Sequence, residues 1–417
     1  MADKPRLKVP EIEVPKDNPF GNDRLGRQKN AEVLTQYLKT EAGPFVLALD
    51  SPWGTGKTTF LRMWRQALSN GGFQTIYFNA WENDFSENAL AALISEVCGL
   101  IEGTRNADRS RGEKAAAGIK RYGAKLIKAA IPVGLKIATA GALRKEDFAA
   151  DPAADLVEEL ANEAIERFST DKTSIQEFRK DLATFVEEVQ GKAVPEGERR
   201  PLVFMIDELD RCRPDYAVEV LEKVKHLFSV PNVVFILGWD RTQLGPALQC
   251  VYGPGMNTDG YLRRFVDLEY RLPPTDRDVF CKYLLGASGL ATFFDERSSG
   301  GREQELALDV LTGMGEVLDL GLRDMEHAIR RFAIVCRTLN KRVSCAPYTA
   351  FLVCLLIHDK DLYADYVAGR SDSATVLEAM ESIPNGRHFV RSDAGMLVKA
   401  FLQMADHKKE TKALLDD

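Results

Sequence analysis

The sequence predicts an α/β protein: a parallel sheet with helices on both faces, a helical insertion within it, and a C-terminal helical domain. Three observations predict it. Short apolar runs bounded by turn residues mark buried strands, and they recur at Phe45-Val-Leu-Ala-Leu-Asp50, Pro201-Leu-Val-Phe-Met-Ile206 and Val233-Val-Phe-Ile-Leu237. Helical patterns separate these runs, and strands alternating with helices build a parallel sheet covered on both faces. From Asp276 onward the pattern is helical throughout, with an apolar helix at 347–357.

In chain order, residues 1–19 read as a flexible or loosely docked arm ending near Pro19, without the apolar stretch of a secretory leader. The first part of the core spans 20–103. Asp23-Arg-Leu-Gly-Arg27 leads into a helix carrying Ala31, Val33, Leu34, Tyr37 and Leu38, which stops before Gly43-Pro44. The strand 45–50 then runs straight into Ser51-Pro-Trp-Gly-Thr-Gly-Lys-Thr-Thr59. Gly54 and Gly56 supply the turn, and Lys57-Thr58 open a helix with Phe60, Leu61, Trp64 and Leu68 on one face. Strand, glycine turn and helix in this order form a phosphate-binding loop, in which backbone N–H groups and a helix N-terminus cradle phosphates. The binding segment is Pro52, Trp53, Gly54, Thr55, Gly56, Lys57, Thr58 and Thr59. Lys57 would reach the β- and γ-phosphates, and the Thr58 hydroxyl would hold Mg²⁺. Ser51 stands where the pattern has its first glycine, and a serine serves there if its φ is negative.

Thr75-Ile-Tyr-Phe-Asn-Ala80 reads as the second strand, and 87–103 as an amphipathic helix with Leu90, Leu93, Val97 and Leu100. Lys57 and Asp207 lie 150 positions apart, whereas a strand–helix–strand unit takes about 30 residues. A helical insertion at 104–200 fills the difference. Its stretch 114–145 carries eight Lys/Arg and no Asp or Glu. Ile119, Tyr122, Leu126, Ala130, Val133 and Ile137 fall on one face, with Lys120, Arg121, Lys125, Lys128 and Lys136 opposite; Pro132 and Gly134 interrupt it. Such a helix can contact anionic membrane or a protein partner, or pack as a solvated hairpin on its own domain.

The second part of the core spans 201–274, and the helical domain 275–417. The strand 201–206 ends in Asp207-Glu208-Leu-Asp210-Arg211. An aspartate there, far in sequence from the phosphate loop, is the other half of a nucleoside-triphosphate site. Asp207 would fix Mg²⁺ together with Thr58, and Glu208 would polarise the attacking water. Asp240, at the tip of the next strand, is placed either to sense the γ-phosphate or to cap a turn. Phe265-Val-Asp-Leu-Glu-Tyr270 alternates and reads as a fifth strand.

Three segments carry a family resemblance. Pro52-Trp53-Gly54-x-Gly56-Lys57-Thr58, Phe78-Asn79-Ala80-Trp81 and Ile206-Asp207-Glu208-Leu209-Asp210-Arg211-Cys212 together resemble the KAP P-loop NTPases, relatives of the AAA+ and STAND ATPases. Val234-Phe-Ile-Leu-Gly-Trp-Asp240 and Tyr261-Leu-Arg-Arg-Phe265 resemble later blocks of that family, and the likeness covers roughly 20–340. It implies an ATP-binding, Mg²⁺-dependent hydrolase module. Members often carry membrane-spanning segments between the two Walker motifs, where this sequence has only the basic stretch. It also has Glu208 where a second aspartate is common. The family includes bacterial phage-exclusion proteins and animal membrane scaffolds.

An arginine can neutralise γ-phosphate charge in cis or from a neighbouring subunit. The candidates are Arg263, Arg264 and Arg323, though for any one of them an ordinary surface salt bridge is the commoner role; Arg211 reads as structural, pairing with Asp210 or the loop edge. The net charge of −7 argues against a nucleic-acid binder that uses its whole surface, while permitting a local basic patch. Seven cysteines without a C-x-x-C pair and five histidines without ligand spacing read as reduced thiols and no zinc site. With no run of about 18 apolar residues, the expected location is the cytoplasm, with peripheral contact at the inner face of the membrane as a variant. The leading function is an ATP-hydrolysing switch with a protein or homo-oligomeric partner, in anti-phage defence for a microbial chain. The alternative is a nucleotide-gated scaffold with little turnover.

Overall fold

The computed structural model describes residues 12–40, 43–86, 88–104, 110–129, 172–189, 200–274, 276–295, 300–338 and 345–416. Five strands, β1 (Phe45–Asp50), β2 (Thr75–Asn79), β3 (Leu202–Asp207), β4 (Val233–Trp239) and β5 (Leu268–Arg271), form one parallel sheet in the order β2-β3-β4-β1-β5. Every residue of β3 and β4 is buried, because helices cover both faces and leave no side for polar alternation. Successive side chains still part to opposite faces. Leu202, Phe204 and Ile206 enter one core, and Val203 and Met205 the other.

The helices divide accordingly. On the Val203 side lie α1 (Gln28–Thr40) and α2 (Lys57–Asn70), whose Leu34, Phe60, Leu61 and Trp64 pack under the sheet. The short α3 (Ala80–Asn83) follows β2 directly. On the Phe204 side lie α4 (Ala89–Gly103), α5 (Ser110–Ala129), α6 (172–189), α7 (Pro214–Leu227) and α8 (Arg241–Tyr252). Phe204 stacks on Phe235 with ring centroids 5.1 Å apart and meets Phe228 at 6.1 Å.

Of the alternatives open to the insertion, its described part takes packing on its own domain. Ala115, Ile119 and Leu126 of α5 are buried against α4 and α6 in the main core. The described part of the apolar stripe is therefore spent on internal packing. On its polar side Lys120 pairs with Glu102 at 2.7 Å, and Arg121 and Lys125 lie over the Tyr122 ring. The rest of the basic stretch, with Pro132, Gly134 and Lys136, falls outside the described residues.

The last strand is shifted. The alternation at 265–270 predicts a strand from Phe265, yet Phe265 closes the turn after α9 (Thr258–Leu262), donating its N–H to the Leu262 carbonyl at 3.0 Å. Its ring packs on Tyr261 at 4.9 Å. Only Leu268–Arg271 pair with β1, as a mostly exposed edge. Beyond it, α10 (Arg277–Ala287), α11 (Ala291–Asp295), α12 (Gly300–Val317), α13 (Leu322–Thr338), α14 (Ala346–His358), α15 (Lys360–Val367), α16 (Ser373–Ser382), α17 (Gly386–Arg391) and α18 (Asp393–Asp416) enclose a second core around Cys281, Met314, Phe332, Phe351 and Leu402. No helix among the described residues is long and apolar enough to cross a membrane.

Because all five strands are parallel, Asp50, Asn79, Asp207 and Asp240 emerge along one edge of the sheet, with Asn79 opposite Asp207 and Asp50 opposite Trp239. Ligands of open parallel sheets bind at the carboxyl ends of the strands, where the strand order reverses. Here β1 leaves between β4 and β5, and the phosphate loop starts at that point.

Candidate nucleotide site

The loop 51–56 is held from beneath. Ser51 donates its N–H to the Trp239 carbonyl at 3.2 Å, and its hydroxyl meets the Thr55 hydroxyl at 2.6 Å. Ser51 is not among the residues with positive φ, so serine fits where the pattern has glycine. Gly54 and Gly56 do need to be glycine, with φ of 78° and 83° in the left-handed region. Asp50 accepts the Arg241 N–H at 2.9 Å and faces the Arg271 guanidinium at 3.3 Å. Asp240 caps α8, one oxygen accepting from Thr242, while the other accepts the Trp53 N–H at 3.0 Å. The Trp53 indole N–H donates to Asp210. The loop is thus tied to β4 through Asp240 and to the turn after β3 through Asp210.

Lys57 opens α2 and is buried, donating to the Ser51 carbonyl at 2.8 Å. Burial pushes the ammonium's pKa down, while the charges of Asp210, Asp207, Asp240 and Asp50 pull it up. Four carboxylates converge on one cation. Such a buried cation at a helix N-terminus is built to meet further negative charge.

Asp207 is fully buried, and its carboxyl is pushed up by burial although Tyr77, Thr58 and the Glu208 N–H all donate to it. The Tyr77 hydroxyl lies 2.8 Å from one oxygen, and the Glu208 N–H 2.9 Å from the other. Glu208 sits at φ 59°, an uncommon region for a residue with a side chain, and this turn aims it away from the strand. Its carboxylate is gripped twice: by the Asn79 amide at 3.2 Å and by the Arg211 guanidinium at 2.8 Å. Arg211 therefore pairs with Glu208, and not with Asp210 or the loop edge as the sequence reading has it.

Above the loop, α1 and the helical domain close in. The Asp23 carboxylate accepts from the N–H groups of Leu25, Arg27 and Gln28, which sets the turn before α1. Arg27 is buried there and donates to the Pro273 carbonyl at 2.6 Å. From the other side the start of α13 touches the loop. A Cβ on Gly54 would lie 3.2 Å from the Arg323 Cβ and 3.3 Å from its N–H nitrogen. Between these walls lies a cleft of about 550 Å³.

Of the residues expected at the site, Pro52, Trp53, Gly54, Gly56, Lys57, Thr58, Thr59, Glu208 and Arg323 line this cleft. Thr55 turns into the loop, Asp207 lies behind Thr58, and Asp240 supports Trp53. Arg263 and Arg264 are exposed and do not line it. Sequence reasoning missed Tyr77 and Arg24, and it quoted Asn79 only as part of a motif. Gly238, inside β4, is likewise quoted only within a motif: a Cβ there would come 2.8 Å from both an Asp207 oxygen and Leu61. Gly238→Ala is therefore expected to cost about 1–3 kcal/mol of stability by overpacking. It should also weaken nucleotide binding by pushing on Asp207. Urea unfolding beside calorimetric titration of an ATP analogue measures both; a variant with unchanged stability and affinity would remove Gly238 from the site's support.

A family model for the KAP family P-loop domain matches residues 27–339. No curated protein matches the sequence. Among solved structures the chain is similar to the ORC2 protein of Aeropyrum pernix in ADPNP–ADP complexes, with TM-score 0.37 and 12% identity over 80% of this chain and 68% of that one. It is similar also to Cdc6p of Pyrobaculum aerophilum, with TM-score 0.35 and 16% identity over 82% of this chain and 68% of that one. The family match runs from Arg27 to just beyond the end of α13 and takes in the phosphate loop, the turn after β3 and Arg323. The chain belongs to the KAP family of P-loop NTPases.

Proposed function

We propose that this chain is a Mg²⁺-dependent ATP hydrolase working as a nucleotide-driven switch. The observation that carries the proposal is a single cleft lined by Lys57 and Thr58 of the loop, Glu208 of the sheet edge and Arg323 of the helical domain. Lys57 holds the β- and γ-phosphates. The Thr58 hydroxyl and the Asp207 carboxylate, bonded to each other, are adjacent hard oxygen donors of the kind Mg²⁺ takes. When bound there, the ion supplies charge neutralisation for the phosphates. Glu208 accepts a proton from water as its oxygen bonds the γ-phosphorus, and the β–γ bridging bond breaks with its electron pair passing to ADP. Tyr77 orients Asp207, and Asp240 shapes the loop through Trp53 rather than reading the γ-phosphate. Because Arg323 belongs to the helical domain, triphosphate contact there would draw α13 toward the loop, and loss of the γ-phosphate would release it.

A second reading, a nucleotide-gated scaffold with little turnover, is favoured by the double grip on Glu208. Phosphate release from ATP and GTP by the purified chain with Mg²⁺ separates the two; tight analogue binding without release would leave only the scaffold. Arg263 and Arg264 lie outside the cleft, so in a homo-oligomer they would act on a neighbour's nucleotide. On that proposal, mixing inactive Arg264→Ala with inactive Glu208→Gln chains restores part of the turnover, whereas no rescue leaves Arg264 without a catalytic part. Contact with anionic membrane would rest on the basic side of α5, since its apolar side is buried. For the biological setting we propose cytoplasmic anti-phage defence, on family membership.

A further inference from the structure

The cleft contains an ion pair that the proposed chemistry cannot leave in place. Arg211 holds one oxygen of Glu208 at 2.8 Å while Asn79 holds the other at 3.2 Å. With a hydrogen bond already on each oxygen, the carboxylate has fewer lone pairs to offer an attacking water. The same guanidinium lies over the ring of Trp81, 5.7 Å from its centroid, and both residues line the cleft together with Lys57. Its side chain retains 26% of its exposure and that of Glu208 13%, so the pair borders the space that a nucleotide would fill.

Of the other cleft arginines, Arg323 abuts Gly54 from the helical domain, and the rest are engaged elsewhere. Arg27 is buried on the Pro273 carbonyl, Arg24 lies over Tyr283, and Arg330 is bonded to Glu326 on its own helix. Arg62 donates to Tyr77. Arg211 differs in that its anionic partner is the residue proposed to activate water.

We infer that Arg211 exchanges Glu208 for the γ-phosphate when a nucleoside triphosphate enters, so that one movement frees the base and neutralises the transferring group. The competition favours the exchange. A terminal phosphate carries about −1.5 to −2 charge at neutral pH against −1 for a carboxylate, and a planar guanidinium matches two of its oxygens at once. The face of Trp81 offers the guanidinium a surface to move across, by cation–π attraction. ADP lacks the γ-phosphate, so with ADP bound Arg211 stays on Glu208. Arg211 then supplies positive charge to the γ-phosphate in cis, beside Arg323 and independently of any arginine from a neighbouring subunit. The inference deepens the hydrolase reading and rests on it for turnover, but not for binding.

The test compares the affinity of a slowly hydrolysed ATP analogue with that of ADP by calorimetry, in wild type, Arg211→Ala and Arg211→Lys, beside steady-state phosphate release. Arg211→Ala should lower the triphosphate-to-diphosphate affinity ratio about tenfold or more, the range of a charge-assisted hydrogen bond, with ADP affinity and Tm unchanged. Its turnover should fall about 100-fold. Arg211→Lys should recover part of the ratio, keeping charge without the fork. An unchanged ratio in Arg211→Ala overturns the inference, whether turnover is kept or rises. A fall in ADP affinity and Tm together overturns it too, by making Arg211 structural. A wild-type chain that binds but does not hydrolyse would fail the hydrolase reading alone, while the affinity ratio still decides the role of Arg211.

Discussion

Lys57→Ala is expected to lose measurable triphosphate binding, a drop of about 100-fold or more in affinity given charge-assisted hydrogen bonds worth about 1.5–3 kcal/mol each. The size follows from where the ammonium sits. It is buried at the start of α2 among Asp50, Asp207, Asp210 and Asp240, so it offsets four carboxylates before any ligand arrives. Without it the cleft presents negative charge to a polyanion, and repulsion adds to the lost contact. Calorimetry with a slowly hydrolysed ATP analogue measures the loss, with Tm recorded beside it because the four carboxylates then repel one another. Equal affinity in wild type and Lys57→Ala would remove the phosphate-loop assignment.

Glu208→Gln should have the opposite profile. The amide keeps the shape of the carboxylate but cannot take a proton from water, so turnover should fall about 10²–10⁴-fold, the usual contribution of a general base. Triphosphate binding should persist and become long-lived. Asn79 and Arg211, which now grip the carboxylate at 3.2 and 2.8 Å, would lose a charged partner. On the exchange proposed for Arg211, the guanidinium should then be freer for the γ-phosphate, and triphosphate affinity should rise. Single-turnover hydrolysis and nucleotide off-rates resolve the two effects. Turnover within threefold of wild type would show that Glu208 is not the base.

Much of this architecture was legible in the chain. Fully buried strands such as β3 and β4 announce themselves as unbroken apolar runs, because a sheet covered on both faces leaves no position for a polar residue. The edge strand β5 was harder. Its exposure weakens the hydrophobic signal, and the alternation beginning at Phe265 belongs partly to a turn packed on Tyr261. The apolar stripe of the insertion is legible in the sequence, but which of its possible partners covers it is not. Periodicity reveals that Ile119 and Leu126 share a face, not whether a bilayer or α4 and α6 will cover it.

The sequence by itself determined the phosphate loop, the buried aspartate and the glutamate beside it, since each depends on local spacing within one strand–turn–helix unit. Only the tertiary structure decided how those groups are held. Asn79 and Arg211 meet Glu208 because β2 pairs in register with β3 and the chain turns sharply at Glu208. Tyr77 reaches Asp207 across the same pair of strands, and Arg323 reaches Gly54 only because the helical domain packs against the loop. Local chemistry is written in neighbouring residues, whereas ion pairs and walls between distant segments depend on strand register and helix packing, which no local pattern encodes.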